Sequence, residues 1–272
     1  MNEINNRLSE KNFQIILKSF YHLTGILLNE NKKSMVESRL SAKLVEWGYD
    51  SYDNFIAKIL DFSDHQSKLY LVESLTTNET YFFRESNMLN YMMEMIEEKN
   101  LQNCCVWSAA SSSGEEAYSI AMLFADYFGT ESAWHIYGND ISTKMTRIAT
   151  AGLYKLKRVD AIPEGFLQKY CLKGNAEYEG MFLISKNIRD KVTFEVGNLL
   201  ETFNYAGKMF DFIFLRNVLI YFSKDKIDAI IRNVLLYLKD DGMLITGHSE
   251  TIRHDLIYPI RPCVYKKVLK YD

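Results

Sequence analysis

Four ionisable residues in this 272-residue sequence stand where they could do chemistry. Glu115 and Glu116 follow the small-residue stretch Ser111-Ser-Ser-Gly, Asp140 ends the run Trp134-His-Ile-Tyr-Gly-Asn-Asp, and Arg84 follows two aromatics. Serine and glycine keep side chains out of the way where backbone meets a ligand closely, and a helix N-terminus is a common ligand position. Carboxylates suit a helix start but repel a pyrophosphate, and the loop lacks the spacing G-x-G-x-x-G. A nucleoside ligand that carries an amino group and a positive charge fits better, and S-adenosylmethionine is such a ligand. The alternative is that both glutamates merely stabilise the helix N-terminus.

Asp140 lies about one βα unit beyond the Gly114 loop. Doubly wound nucleotide folds place there the acid that holds ribose hydroxyls. Its competing role is to cap the helix that Ser142 opens. Arg84 either snorkels to solvent or reaches into a site. The five histidines and four cysteines show no metal-ligand spacing, and no Ser-His or Cys-His constellation is evident. No metal is expected.

These residues require a strand, a tight loop and a helix over 106–125. Val106 and Trp107 suit a buried strand, and Ala117, Ile120, Ala121, Phe124, Ala125 and Phe128 form one helical face. Further buried strands are expected at 192–196, 210–215 and 243–246, with a last strand from Cys263. An amphipathic helix is expected from Ser223 to Leu238. Helices alternating with buried strands predict a mainly parallel, doubly wound α/β sheet. Its ligand should sit at the strand carboxyl ends, where Gly114, Asp140, Asn198 and Asn217 fall.

The flanking segments differ in kind. Residues 1–75 read as an all-helical domain of four helices. Ser9 caps the first, Lys33–Trp47 is the second, Ser51 starts the third with Phe55, Ile56, Ile59 and Leu60, and His65–Leu75 is the fourth. Lys32, Arg39 and Lys43 could share an outward face of the second, either solvated or presented to an acidic partner. Residues 76–97 read as a linker and connecting helix that starts near Glu79, and 98–272 as the α/β domain. Within it, 155–193 reads as a small inserted antiparallel β subdomain, with a short helix from Pro163 and a hairpin around Gly174-Asn175.

Composition sets further bounds. Hydrophobic content of 47% is ample for a core, and a net charge of −3 gives no general basis for binding nucleic acid. The cysteines read as reduced thiols of a cytoplasmic protein. The stretch from Met1 to Arg7 is polar and unlike a signal peptide, and no apolar run is long enough to cross a bilayer.

Four stretches together carry a resemblance. They are Thr76-Thr-Asn-Glu-Thr-Tyr-Phe-Phe-Arg-Glu, Trp107-Ser-Ala-Ala-Ser-Ser-Ser-Gly-Glu-Glu, Phe210-Asp-Phe-Ile-Phe-Leu-Arg-Asn-Val-Leu-Ile-Tyr-Phe and Gly247-His-Ser-Glu. In order and spacing they closely resemble the CheR family of chemotaxis receptor methyltransferases, over nearly the whole chain. Ser112-Ser113 and Ala117 stand where the family loop often has Ser-Thr and Pro, and the second helix is less basic than in well-known members.

The resemblance implies a class I S-adenosylmethionine methyltransferase core that methylates glutamate side chains of chemoreceptors to methyl esters in chemotaxis adaptation. It implies cofactor contacts at Asn78, Thr80, Arg84, Glu116, Asp140, Asn198, Leu199, Arg216 and Asn217, with Arg84 and Tyr221 near the transferring methyl. The product would be S-adenosylhomocysteine. The implied partners are the receptors' cytoplasmic helices, facing the helical domain, and a receptor C-terminal tether peptide at the inserted subdomain. A monomer is the expected state. The competing functions are a same-fold methyltransferase acting on another substrate and a non-catalytic cofactor-binding relative.

Overall fold

The computed structural model describes residues 7–203, 205 and 207–269; Met1–Asn6 of the polar N-terminal stretch lie outside them. The chain divides into two compact units, Met1–Thr77 with Tyr221–Lys226, and Asn78–Ile220 with Ile227–Asp272.

In the helical unit, the Ser9 hydroxyl accepts the Asn12 N–H to open α1 (Glu10–Thr24), and Gly25, at φ 75°, ends it in the left-handed conformation. Phe13, Ile16 and Phe20 of α1 share a core with Leu40 and Leu44 of α2 (Lys33–Glu46), Phe55 and Ile59 of α3 (Tyr52–Leu60) and Leu71 of α4 (His65–Leu75). Leu60, expected inward, is exposed. It is the last residue of α3, and the chain turns away at Asp61. Arg39 offers no outward charge either. Its Nη1 donates to the carbonyls of Ser74, Leu75 and Thr76 at 3.4, 3.2 and 3.2 Å, satisfying the C-terminal end of α4. Lys43 pairs with Glu46. Of the three cations read as a docking face, only Lys32 remains without such a partner among the described residues. Tyr221–Lys226 joins this unit at the turn after α1. The Leu27 N–H donates to the Tyr221 carbonyl at 2.8 Å, and Ile26 forms an antiparallel bridge with Phe222.

The second unit opens with α5 (Ser86–Glu98), β1 (Cys105–Ala109), α6 (Glu115–Phe128), β2 (His135–Asp140) and α7 (Thr143–Ala151). An inserted stretch follows, with β3 (Leu153–Lys155), α8 (Phe166–Tyr170), β4 (Cys171–Lys173), β5 (Met181–Ile184) and α9 (Lys186–Arg189). The main fold resumes with β6 (Val192–Val196), β7 (Phe210–Leu215), α10 (Lys224–Leu235), β8 (Leu238–Thr246), β9 (Ile257–Arg261) and β10 (Val264–Lys267). The large sheet has seven strands in the order β6-β2-β1-β7-β8-β10-β9. Its first five are mutually parallel; β10 runs antiparallel to β8, and the edge strand β9 runs antiparallel to β10. Strand order reverses between β1 and β7, the position where such sheets open a crevice for a ligand.

The structure corrects several element boundaries. The connecting helix begins at Ser86, not near Glu79, because Phe83 and Glu85 take positive φ (54° and 50°) and break any helix through them. Tyr81 and Phe82 therefore lie in the turn before it. The insert is a three-stranded sheet, β3-β5-β4, and not a bare hairpin, and its helix starts at Phe166 beyond Pro163. Leu238 opens β8; the register jumps from Phe210↔Leu238 to Phe212↔Met243, so 239–242 bulge out of the ladder. Strand β9 escaped the sequence because Pro259 sits inside it, which an edge strand tolerates.

One close approach fixes the sheet beside the site. A Cβ on Gly138 of β2 would lie 2.5 Å from the Phe194 ring and 2.9 Å from the Ser111 hydroxyl. Gly138→Ala is expected to cost about 1–3 kcal/mol of stability by overpacking. The check is the urea midpoint, which should fall with an unchanged slope.

Candidate active site

The loop from β1 to α6 is folded by main-chain bonds its sequence permits. Ala110, Ser112 and Gly114 all have positive φ (62°, 49° and 91°). The Ser111 N–H donates to the Asn139 carbonyl at 2.7 Å, which ties the loop to the end of β2. Asp140 fixes the next peptide: one carboxylate oxygen accepts the Ser112 N–H and the other the Ser142 N–H, each at 2.9 Å. Ser142 in turn caps α7. Asp140 thus holds both flanking loops and also takes a backbone bond from Ile141, which leaves about one of the carboxylate's four acceptor positions open. Burial pushes its pKa above the ordinary value, against those backbone bonds. The Ser112 hydroxyl reaches the Asn78 carbonyl at 3.2 Å, which brings Asn78 to this corner. Gly197 donates its N–H to the Asp140 carbonyl, so Asn198 and Leu199 follow directly beside it. The Leu199 side chain is buried, and its carbonyl accepts from Asn233.

The two glutamates at the helix start separate in role. Glu115 is fully buried and accepts from the Ser113 hydroxyl at 2.6 Å, a local bond at the helix start. Glu116 faces the site. One of its oxygens accepts from Ser108 Oγ and the other from Arg216 Nη1, both at 2.7 Å. Arg216, just past the end of β7, is 6% exposed. Its Nη2 donates to the Arg84 carbonyl at 2.6 Å and to Glu85 at 3.1 Å. The result is a buried Glu85–Arg216–Glu116 triad. Burial alone would raise the Glu85 pKa, but the Arg216 charge and the bonds from Asn217 and Arg216 outweigh it and leave the carboxyl below its usual value. Asn217, at φ 57°, donates to Glu85 at 3.1 Å through its side chain.

Arg84 stands between two residues of positive φ, Phe83 and Glu85. Its backbone is held on both sides. The Phe83 N–H donates to Ser119 Oγ at 2.9 Å, and the Arg84 carbonyl accepts from Arg216. Its side chain is half-buried, lies 5.7 Å over the Tyr81 ring and gives Nη1 to the Glu79 carbonyl at 2.8 Å. Among the described residues that carbonyl is the one hydrogen-bond acceptor it reaches, so most of its donor fork is uncommitted.

Of the residues marked from the sequence, the second unit thus gathers Asn78, Arg84, Glu116, Asp140, Asn198, Leu199, Arg216 and Asn217 around the carboxyl ends of β1, β2, β6 and β7. Thr80 lies just before the turn that carries Arg84, without a hydrogen bond that places it among the described residues. Tyr221 belongs to the helical unit. Sequence reasoning missed Glu85 and Glu250. Both were visible as the closing letters of two of the stretches quoted above, but neither has a spacing that signals a partner. Glu250 is buried and accepts three backbone N–H groups of the loops that follow β7 and β8.

A parallel sheet with a ligand crevice at its reversal point, and acids on the ends of adjacent strands, is the architecture of an S-adenosylmethionine-dependent methyltransferase. The comparisons with known proteins name the family. Residues 78–261 match the model for the CheR methyltransferase SAM-binding domain, and residues 11–76 match that for the CheR methyltransferase all-alpha domain. The chain is 35% identical to the chemotaxis protein methyltransferase of Salmonella typhimurium over 89% of its own length and 84% of that protein's. It is 33% identical to the protein of the same name from Borreliella burgdorferi, over 97% and 96% of the two chains. This chain belongs to the CheR methyltransferase family.

The residues present fit the family's cofactor. Glu116 and Glu85 are acceptors that suit an ammonium group and a sulfonium, and Asp140 retains an acceptor position for a ribose hydroxyl. Arg216 keeps its Nε buried and without a hydrogen-bond partner among the described residues, an open donor within the site. Among the described residues no cluster of His, Cys, Asp or Glu could hold a metal ion.

Proposed function

We propose that this chain transfers the methyl group of S-adenosylmethionine to glutamate side chains on the cytoplasmic helices of chemoreceptors, forming glutamate methyl esters. One observation carries the reading: Arg84 is a cation with uncommitted donors, held by a strained backbone that is bonded to the buried triad. A guanidinium fork matches a carboxylate in geometry and charge. The relatives' names support the pathway, since each is a chemotaxis protein methyltransferase.

The bound cofactor supplies an electrophilic methyl group. The chain supplies position. Asp140, with Asn198 and Leu199 beside it, holds the nucleoside end, together with Asn78 and Thr80. Glu116, Arg216 and Asn217 hold the amino-acid end. An acceptor glutamate has an ordinary pKa of about 4.3, so it is ionised near neutrality and needs no general base. Arg84 orients the acceptor carboxylate or that of the cofactor. Alignment of this kind is worth several kcal/mol.

The units divide the remaining work. The helical unit faces the receptor helices. The small sheet takes a tether peptide by strand addition at one of its edges, where Leu172 of β4 is 58% exposed. The protein acts in the cytoplasm as a monomer; among the described residues no helix is long and apolar enough to cross a membrane.

The test uses radiolabelled S-adenosylmethionine, receptor-containing membranes and mild alkali. The expected result is label on a receptor-sized band, released by alkali as volatile methanol. Alkali-stable label would mean another acceptor. Cofactor binding without any transfer would mean a non-catalytic relative.

A further inference from the structure

Glu250 is 4% exposed and carries three main-chain donors on one carboxylate. Its Oε2 accepts the N–H of Asn217 at 2.6 Å and of Gly247 at 2.9 Å, and its Oε1 accepts the N–H of Leu219 at 2.7 Å. Its own carbonyl accepts from the Thr246 hydroxyl, and its own N–H donates to Gly247. The carboxylate therefore fills a nest of amides formed by two loops, one after β7 and one after β8. The fit leaves no slack: a Cβ on Gly247 would lie 2.6 Å from Asn217 Nδ2 and 2.8 Å from Glu250 Oε2.

We infer that Glu250 is the positioning residue of the cofactor loop, acting through Asn217 and Arg216 without touching the cofactor itself. The inference rests on the reading that Arg216 and Asn217 contact S-adenosylmethionine. The sheet does not need Glu250. The β7–β8 ladder already closes at Leu215↔Thr246, and the carboxylate acts only beyond that pair. What it anchors is the left-handed turn at Asn217, a conformation that asparagine adopts more readily than most residues and that the Glu250 carboxylate fixes here through the Asn217 N–H. That turn aims the Asn217 side chain at Glu85 and sets the direction in which Arg216 leaves the strand. Only an ionised carboxylate offers acceptors to all three amides; a glutamine of the same shape would point an NH₂ at one or two of them, leaving buried donors unpaired.

The test compares wild type, Glu250→Gln, Glu250→Asp and Asn217→Ala by calorimetric titration with S-adenosylmethionine, well below the melting temperature. Amide hydrogen exchange is followed in the same proteins. Glu250→Gln is expected to bind the cofactor at least tenfold more weakly. Amide exchange should be faster at Asn217, Leu219 and Gly247 and unchanged in β1 and β7. Glu250→Asp, which keeps the charge, should fall between glutamine and wild type. A merely structural role would lower the melting temperature and leave the affinity of the folded protein alone. Wild-type affinity in Glu250→Gln, with a tenfold loss in Asn217→Ala, would overturn the inference. Wild-type affinity in Asn217→Ala would instead remove the assignment of Asn217. Glu250 would then stand or fall on the exchange at the three amides. If the glutamine variant does not fold, the aspartate variant decides by the same two readouts.

Discussion

Arg216→Met is expected to lower stability by about 3–5 kcal/mol at neutral pH and to remove measurable S-adenosylmethionine binding. The side chain is 2% exposed, between Glu85 at 16% and Glu116 at 15%. Methionine fills much of the volume but leaves two poorly solvated carboxylates facing each other. Removing one partner of a buried ion pair costs about that much, although replacing the whole group by apolar residues often does not. For a protein stabilised by about 5–15 kcal/mol, the loss is a large share.

The pH dependence carries a sign that separates this account from a simple packing defect. The folded-state pKa of Glu85 lies below its ordinary value. Its contribution in the wild type is therefore present above about pH 4.3 and is lost as the pH falls through the lowered folded value. In Arg216→Met burial is opposed only by the Asn217 bond and the His248 charge, and the Glu85 pKa is expected to rise above the ordinary value. That variant gains stability on acidification, and its deficit should shrink between pH 7.5 and pH 5. Urea midpoints at the two pH values check this. A deficit that stayed constant would mean that lost volume, not unpaired charge, is the cause.

Arg84→Ala is expected to reduce turnover about 100-fold, some 2.7 kcal/mol of barrier at 1.36 kcal/mol per decade. Its melting temperature should stay near that of the wild type. Removing one preorganised donor to developing or orienting charge commonly costs 10²–10³ in rate. The side chain is half-buried and contributes little to the core, whereas its backbone is restrained by Phe83 and Glu85. Each such left-handed residue stores about 1–3 kcal/mol, which the surrounding contacts must supply. Arg84→Lys should recover charge but not the fork, and hence only part of the rate. Turnover at saturating cofactor and the calorimetric affinity divide the two roles. Weaker cofactor binding assigns Arg84 to the cofactor carboxylate, and unchanged binding with lost turnover assigns it to the acceptor. Wild-type turnover with normal affinity would remove it from the mechanism.

The periodicity of residues 10–75 determined the helical unit, because caps such as Ser9 and apolar stripes are local properties of the chain. The alternation of buried runs with amphipathic ones determined the parallel sheet, and the small-residue loop at Ser111–Gly114 determined where its crevice opens. Asp140 was legible for the same reason, since its place at the end of β2 follows from order along the chain. Tertiary structure alone decided which charges meet. Glu85, Glu116 and Arg216 are separated by 31 and 100 residues in sequence, and no spacing rule links them. Arg39 read as a surface cation until its partners at the end of α4 were seen. The helix expected from Glu79 was broken by positive φ at Phe83 and Glu85, conformations that ordinary propensities argue against. They are held by Ser119 and Arg216, which lie far along the chain. Glu250 was hidden for the same reason: a carboxylate becomes a positioning group only when folding brings three backbone amides to it.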